Sequence, residues 1–213
     1  MLHLYSYYRS SAVYRVRIAL ALKGLSWEAI PVNLLKQEQR EAAYLGKNPQ
    51  GLLPALQVDD GLLTQSLAII EYLEELQPEP ALLPSDPLAK AQVRALAYQV
   101  AMDIHPLNNL RILNYLTSEL GHSQAEKTQW LHHWMGLGFG ALEDSLRQQG
   151  CDGRYCFADA PTLADLCLVP QVYNAYRFNC PMSSYPLIVS IWQHCTGLAQ
   201  FIDAAPEAQT DSP

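Results

Sequence analysis

Arg9-Ser10-Ser11 stands where an apolar run, Leu2-His3-Leu4-Tyr5-Ser6-Tyr7-Tyr8, gives way to a helical pattern ending near Lys23-Gly24. That change of period predicts a strand, a sharp turn and a helix start. Serines at a helix start cap orphan backbone N–H groups. The same N–H groups and the helix dipole favour an anion, so a hydroxyl there can also hold a bound thiolate, although on these residues alone an ordinary cap is the favoured reading. The turn carries no thiol of its own, because Ala12 follows the serines. Gln65-Ser66 repeats the arrangement at the start of another helix, where a plain cap and an anion site are again both open.

Other side chains with chemical potential are less promising. The five cysteines, Cys151, Cys156, Cys167, Cys180 and Cys195, all lie in the last third, and no pair has the spacing of a redox or zinc motif. Cys167 sits inside an apolar run and reads as a buried, inert thiol. His132-His133 are adjacent on a helical pattern, so they point to different faces and make a poor ligand pair. No metal site is expected. The net charge of −7 disfavours nucleic acid and anionic membranes as partners. An anionic substrate would therefore need a local group of arginines. The start shows no leader pattern and no apolar run reaches spanning length, so a cytoplasmic location is expected.

The elements that must hold these residues fall into two parts. After the first strand and helix, Trp27 to Val32 predicts a second strand, which Pro31 confines to an edge. Lys36 to Lys47 has weak helical character and ends at the turn Asn48-Pro49-Gln50-Gly51. Pro54 to Val58 and Leu62 to Thr64 flank Asp59-Asp60-Gly61 as a hairpin. A helix follows from Ser66 to Leu76, with Leu67, Ile70, Leu73 and Leu76 on one side. The order β-α-β-α-β-β-α predicts a small mixed sheet with helices on its faces. Prolines between Gln77 and Pro87 mark a linker. Beyond it the pattern is helical throughout, at Leu88 to Asp103, Pro106 to Leu120, Ala125 to Gln148 and Leu163 to Tyr176. Thr162 to Asp165 has the form of a capping box with Asp in place of Glu, starting a buried helix and performing no chemistry. The end, from Ala204, is small and polar and is expected to fray.

Taken whole, the chain resembles the cytosolic glutathione transferases, and most closely their zeta class, which includes the maleylacetoacetate and maleylpyruvate isomerases. The resemblance rests on Arg9-Ser10-Ser11 with Arg15-Val16-Arg17-Ile18-Ala19-Leu20, on the run from Gln65 to Glu74, and on Ala164 to Val172. Asp103-Ile104-His105-Pro106, followed by Asn108-Asn109 and Arg111, looks most like the maleylpyruvate branch. One departure is Ala12, where the class often has cysteine. The resemblance implies an α+β thioredoxin-like domain over residues 1–80, a linker over 81–87 and an all-α domain over 88–213.

It also implies glutathione as cofactor, a small dicarboxylate as substrate and a homodimer. Ser10 would hold the glutathione sulfur, with Ser11 beside it acting mainly as a cap. Leu53-Pro54, cis in the family though trans by default, would meet the cysteinyl part. Gln65 and Ser66 would take the γ-glutamyl carboxylate, and Gln39 the glycyl one. Asp103, His105 and Asn109 would line the same site, Asp103 from the partner subunit or its own, although each also reads as an ordinary polar residue. Arg9, Arg111 and Arg177 would hold substrate carboxylates, for which a planar fork is well suited. Arg15 and Arg17 read as structural or surface charges. The implied reaction is a cis–trans isomerisation through reversible thiolate addition. A general conjugating or dehalogenating transferase, and a non-catalytic interaction protein of the same fold, stay open as alternatives.

Overall fold

The apolar, β-branched and aromatic residues of the first third form a four-stranded sheet. Its strands are β1 (Leu2–Ser6), β2 (Trp27–Pro31), β3 (Ala55–Val58) and β4 (Gly61–Thr64), in the order β2-β1-β3-β4. The computed structural model describes residues 1–59 and 61–213, so Asp60 of the expected hairpin lies outside the described residues. β1 pairs parallel with β2 and antiparallel with β3, and Leu4 stands opposite both Ala29 and Leu56. Pro31 ends the edge strand, where a missing donor is tolerated.

Helix α1 (Ser11–Leu22) is buried on nearly every side, as a helix crossing between two parallel strands must be. The weakly helical stretch forms a 3₁₀ turn at Glu38–Arg40 and the short α2 (Ala42–Leu45). Helix α3 (Ser66–Leu76) buries Ser66, Ile69, Ile70 and Leu73. That stripe is rotated from the expected one, and Leu76 is exposed. At the end of α1 the buried Lys23 pairs with Glu74 and donates to the carbonyls of Pro78 and Pro80. Glu74 in turn accepts from the N–H of Leu82. The proline-rich stretch is thereby tied down where it begins.

The chain divides into two compact units, residues 1–82 with 197–213 and residues 83–196. Residues 197–213 thus join the first unit, where the sequence assigns them to the helical domain and leaves their end to fray. The reason is hydrogen bonding to α1. Tyr14 donates its hydroxyl to the Phe201 carbonyl at 3.2 Å, and Arg17 donates Nε to the Ala204 carbonyl at 2.9 Å. The segment is ordered as α9 (Ala199–Ala204) and a 3₁₀ turn at Pro206–Ala208.

The second unit is helical, with α4 (Pro87–Tyr98), α5 (Leu110–Asn114), α6 (Gln124–Gln148), α7 (Leu163–Arg177) and α8 (Pro186–Cys195). Two expected long helices are broken. π-helical turns at Gln99–Ile104 and a 3₁₀ turn at His105–Asn108 separate α4 from α5, and π-helical turns at Tyr115–Glu119 follow α5. The core is α7, whose face toward every neighbour is buried. Its start is the capping box read from the sequence, built around an Asp165 that is 0% exposed. Asp165 accepts from the N–H of Cys156 at 2.7 Å, and from the N–H and hydroxyl of Thr162 at 2.8 and 2.9 Å. Helix α8 is absent from the sequence reading. Its signals are Pro186 at the first turn and a buried face of Ile188, Ile191 and Cys195. The buried Glu143 of α6 caps it, accepting from the N–H groups of Leu187 and Ile188 at 3.0 Å each. Among the described residues no helix is long and apolar enough to cross a membrane.

Asp165→Ala strands three buried donors, each worth about 1–3 kcal/mol when left unpaired. The substitution is expected to destabilise the second unit by on the order of 3–5 kcal/mol, read as a lowered thermal midpoint of the helical circular-dichroism signal.

Candidate active site

Ser10 is the N-cap of α1, with φ −68° and ψ 114°, and its Oγ accepts from the N–H of Val13 at 3.4 Å. Ser11 is the first helical residue and is buried, so the cap belongs to Ser10 alone. A cap bond this long is weak. It also uses Ser10 only as an acceptor, and the hydroxyl proton has no acceptor among the described residues. A donor therefore stands at the positive end of a fully formed helix, beside Ala12, with no thiol in the turn.

The second helix start is linked to the first from below. Arg15 is 2% exposed, and its Nη1 donates to Ser66 Oγ at 3.4 Å. Gln65 before it has φ 69°, a region that costs a side-chain-bearing residue on the order of 1–3 kcal/mol and is common at ligand sites. No side chain caps this end of α3, and Gln65 instead donates Nε2 to Gln50 Oε1 at 2.8 Å. The first N–H groups of α3 and a buried guanidinium together make this place favourable for an anion. Arg15 and Arg17 are thus not surface charges. The signal was available, since both stand in a helix whose other residues from Val13 to Leu20 are apolar or aromatic on every face.

The loop before β3 is braced by Tyr44 and Asn48, which donate to the Leu52 carbonyl at 2.7 and 2.8 Å. The Leu53–Pro54 peptide is cis. Gly51, at φ 60°, lets this loop pass close to residues 39 and 40, since a Cβ there would lie 2.8 Å from Arg40 Nη1 and 3.0 Å from the Gln39 carbonyl. Gln39 Oε1 is buried with no hydrogen-bond partner among the described residues. Arg9 stands next to Ser10, its Nη2 donating to the Tyr7 hydroxyl at 3.3 Å and its guanidinium 5.1 Å from the Tyr8 ring centre. Two groups hold this turn. Arg17 donates Nη2 to the Tyr8 carbonyl at 2.9 Å, and the Tyr8 N–H donates to Asp211 at 2.9 Å. A cavity of about 420 Å³ opens beside the turn, with Tyr7, Tyr8, Glu38 and Asp211 on its wall.

In the second unit the expected residues gather on the broken helix. Asp103 is exposed on its π-helical turn, His105 opens the 3₁₀ turn, and Asn109 caps α5 by accepting from the Arg111 N–H at 3.1 Å. The cap role of Asn109 is thus real, with its amide N–H groups left over for a ligand. Arg111 is exposed on the first turn of α5. Arg177 ends α7, its Nη2 donating to Asn174 Oδ1 at 2.8 Å and its guanidinium 4.2 Å from the Phe178 ring centre. It lines a groove of about 500 Å³ with Tyr173, Tyr176 and Trp192. Buried Asn174 and Asn108 were not singled out from sequence as site residues.

The thiols offer no rival nucleophile. None of the five is in a disulfide, and burial pushes the thiol pKa of Cys156 and Cys195 well up, with that of Cys151 and Cys180 also raised by burial. A raised thiol pKa leaves little thiolate at neutral pH. Among the described residues no group of three or more His, Cys, Asp or Glu side chains could hold a metal ion.

Residues 4–81 match the family model described as glutathione S-transferase, N-terminal domain. The maleylacetoacetate isomerase of Pseudomonas aeruginosa is 50% identical over 213 residues, covering 99% of this chain and 98% of that protein. A holo structure of maleylpyruvate isomerase, a bacterial zeta-class glutathione S-transferase, superposes with a TM-score of 0.97 at 47% identity, covering 99% of this chain and 100% of that one. The maleylacetoacetate isomerase of Methylobacterium extorquens AM1, solved with bound malonate and glutathione, gives a TM-score of 0.95 at 37% identity, with 99% of each chain covered.

A charge-assisted hydrogen bond to a backbone N–H is worth about 1.5–3 kcal/mol. Asp211→Ala is therefore expected to speed hydrogen exchange at the Tyr8 amide about 10- to 100-fold while leaving amides of β1 unchanged, as measured by NMR.

Proposed function

Because the chain belongs to the zeta class of the glutathione transferases, the family of the maleylacetoacetate and maleylpyruvate isomerases, we propose that it is a glutathione-dependent isomerase that turns maleylacetoacetate or maleylpyruvate into the fumaryl compound. The observation that carries this reading is Ser10, an uncommitted hydroxyl donor at the start of a buried helix in a turn without cysteine. Its surroundings fit glutathione. The uncapped start of α3, backed by Arg15 through Ser66, suits the γ-glutamyl carboxylate, and the orphaned Oε1 of Gln39 marks a polar group in want of a partner. The backbone of Leu53, before the cis Pro54, would pair with the cysteinyl part, and Asp103, His105 and Asn109 would complete the binding site. The chemistry that bound glutathione supplies is a sulfur nucleophile for reversible addition to an activated double bond, which can rotate while it is single.

The protein's own residues lower the cost of that chemistry. A cysteine-type thiol titrates near about 8.5, so little is ionised at neutral pH without help. Ser10 donates its O–H toward the sulfur, and the first N–H groups of α1, at Ser11 and Ala12, add the field of the helix. Arg9, Arg111 and Arg177 present guanidinium forks to the substrate carboxylates and to the negative charge that develops on its keto oxygen. They also answer the global field, which at a net charge of −7 repels a dianion. A homodimer in the cytoplasm is the setting proposed for this activity.

Two experiments test the reading. Ser10→Ala is expected to lower turnover on the order of 10²-fold and to raise the pKa of bound glutathione, read as thiolate absorbance against pH. Ser11→Ala should leave that titration in place, and an unmoved titration in Ser10→Ala would transfer the role elsewhere. Arg9→Met, Arg111→Met and Arg177→Met should each lower kcat/KM for maleylpyruvate about 10- to 100-fold while sparing conjugation of a neutral aryl halide. Equal loss of both activities in two of the three would make the arginines structural and favour a general transferase.

A further inference from the structure

We propose that Asn174 and Asn108 are positioning residues, a buried amide relay that runs from the Ile104 carbonyl to Arg177 and sets the direction in which the guanidinium meets a substrate carboxylate. The inference rests on the reading of Arg177 as a carboxylate-binding residue. It starts from an oddity of burial. Two primary amides, Asn108 and Asn174, are each only 5% exposed in a helical core, where an unpaired amide is costly. They are paired with each other, Asn174 Nδ2 donating to Asn108 Oδ1 at 3.1 Å. Asn108 donates its own Nδ2 to the Ile104 carbonyl at 3.0 Å.

That first contact dictates the rest. A carbonyl oxygen can only accept, so Asn108 must turn its NH₂ toward Ile104 and its oxygen toward α7. Asn174 must then answer with its NH₂, which leaves its oxygen as an acceptor pointing at Arg177. Nη2 of Arg177 takes that acceptor at 2.8 Å. Each amide is thereby held in one of its two orientations by the same backbone group, which Asn108 touches directly and Asn174 reaches through Asn108. The relay also has a fixed anchor. A Cβ at Gly138 of α6 would overlap the Ile104 side chain, so that glycine lets α6 press directly on the residue where the relay begins.

Arg177 is exposed, and an exposed arginine ordinarily spreads over many rotamers, whose entropy is lost when a ligand fixes it. Here one edge of the fork is held by Asn174 and one face rests on Phe178. The carbonyl of Phe178 is in turn held by His132 Nε2 at 3.0 Å, which fixes the end of α7 against α6. The guanidinium meets its ligand already oriented, with part of the ordering cost removed in advance. The break in the helix between α4 and α5, which carries Ile104 and Asn108, is thus coupled to the arginine at the end of α7.

The test uses the full protein loaded with glutathione and malonate, a dicarboxylate that cannot isomerise, titrated by calorimetry. Asn174→Ala is expected to weaken malonate about 3- to 10-fold, the range for freeing one ordered side chain. It should raise KM for maleylpyruvate by a similar factor, with kcat and the KM for glutathione little changed. Adding Asn174→Ala to Arg177→Met should cause no further loss, because the relay acts only through the arginine. Asn108→Ala, which removes the acceptor for Asn174 without touching α7, should show the same pattern and carries the test if Asn174→Ala does not fold. A lowered thermal midpoint with unchanged malonate affinity in Asn108→Ala or Asn174→Ala, or losses that simply add in the double variant, would make the amides a structural tie and overturn the inference. A different result, unchanged malonate affinity in Arg177→Met itself, would sink the carboxylate role of Arg177 and the relay with it.

Discussion

A guanidinium keeps its proton under any condition a protein meets, and α1 buries two of them. Buried charge must be surrounded by groups that answer it, and removing any one of them is costly. Arg17, 0% exposed, is answered by the carbonyls of Tyr8 and Ala204, with the Ser6 hydroxyl at 3.5 Å. The end of β1, the turn before Ser10 and the end of α9 are all fixed by that one side chain. Arg15 reaches the start of α3 at Ser66. The two candidate anion sites of the first unit are therefore tied to one helix, one through Arg17 and the Tyr8 carbonyl and the other through Arg15 and Ser66.

The second unit solves the same problem with the opposite sign. Its buried carboxylates, Asp165 and Glu143, each collect backbone N–H groups at the start of a helix. Burial pushes the Asp165 carboxyl up from its ordinary range, and the donors of Cys156 and Thr162 pull it back. Irregular backbone supplies the remaining acceptor. π-helical and 3₁₀ turns meet at Ile104 and His105, and the Ile104 carbonyl accepts from a side chain. Such breaks in helical hydrogen bonding are common where function needs a polar group in a packed core.

Much of this was legible in the sequence. Alternating and apolar runs gave way to capped helical patterns at the right places, so β1, α1, β2, the hairpin strands and α3 could be read with their order. The capping box at Thr162 and Asp165 was visible because its two residues are only three positions apart. Three things were not legible in the same way. The stripe of α3 is rotated because Ser66, a polar residue, is buried to meet Arg15. The breaks after Tyr98 and Asn114 leave no local mark, since π-helical turns use the same residues as α-helix. The return of residues 197–213 to α1 depends on backbone carbonyls at Phe201 and Ala204, and a carbonyl is the same at every position. Contacts that run through the backbone carry no residue type, and a reading of side chains passes over them.

That return has a consequence for how the molecule is made. The first unit is discontinuous in sequence, and the whole helical unit is synthesised between its two pieces. While the ribosome works through residues 83–196, α1 already carries Arg17 but the Ala204 carbonyl does not yet exist. Domains ordinarily fold as they emerge, the N-terminal one first. Here the N-terminal sheet can assemble early with Arg17 already on the Tyr8 carbonyl, yet the second carbonyl it meets, that of Ala204, is added only after the helical unit. The set of contacts around the turn that bears Ser10 is therefore completed only after the helical unit has been made, so the unit begun first is finished last.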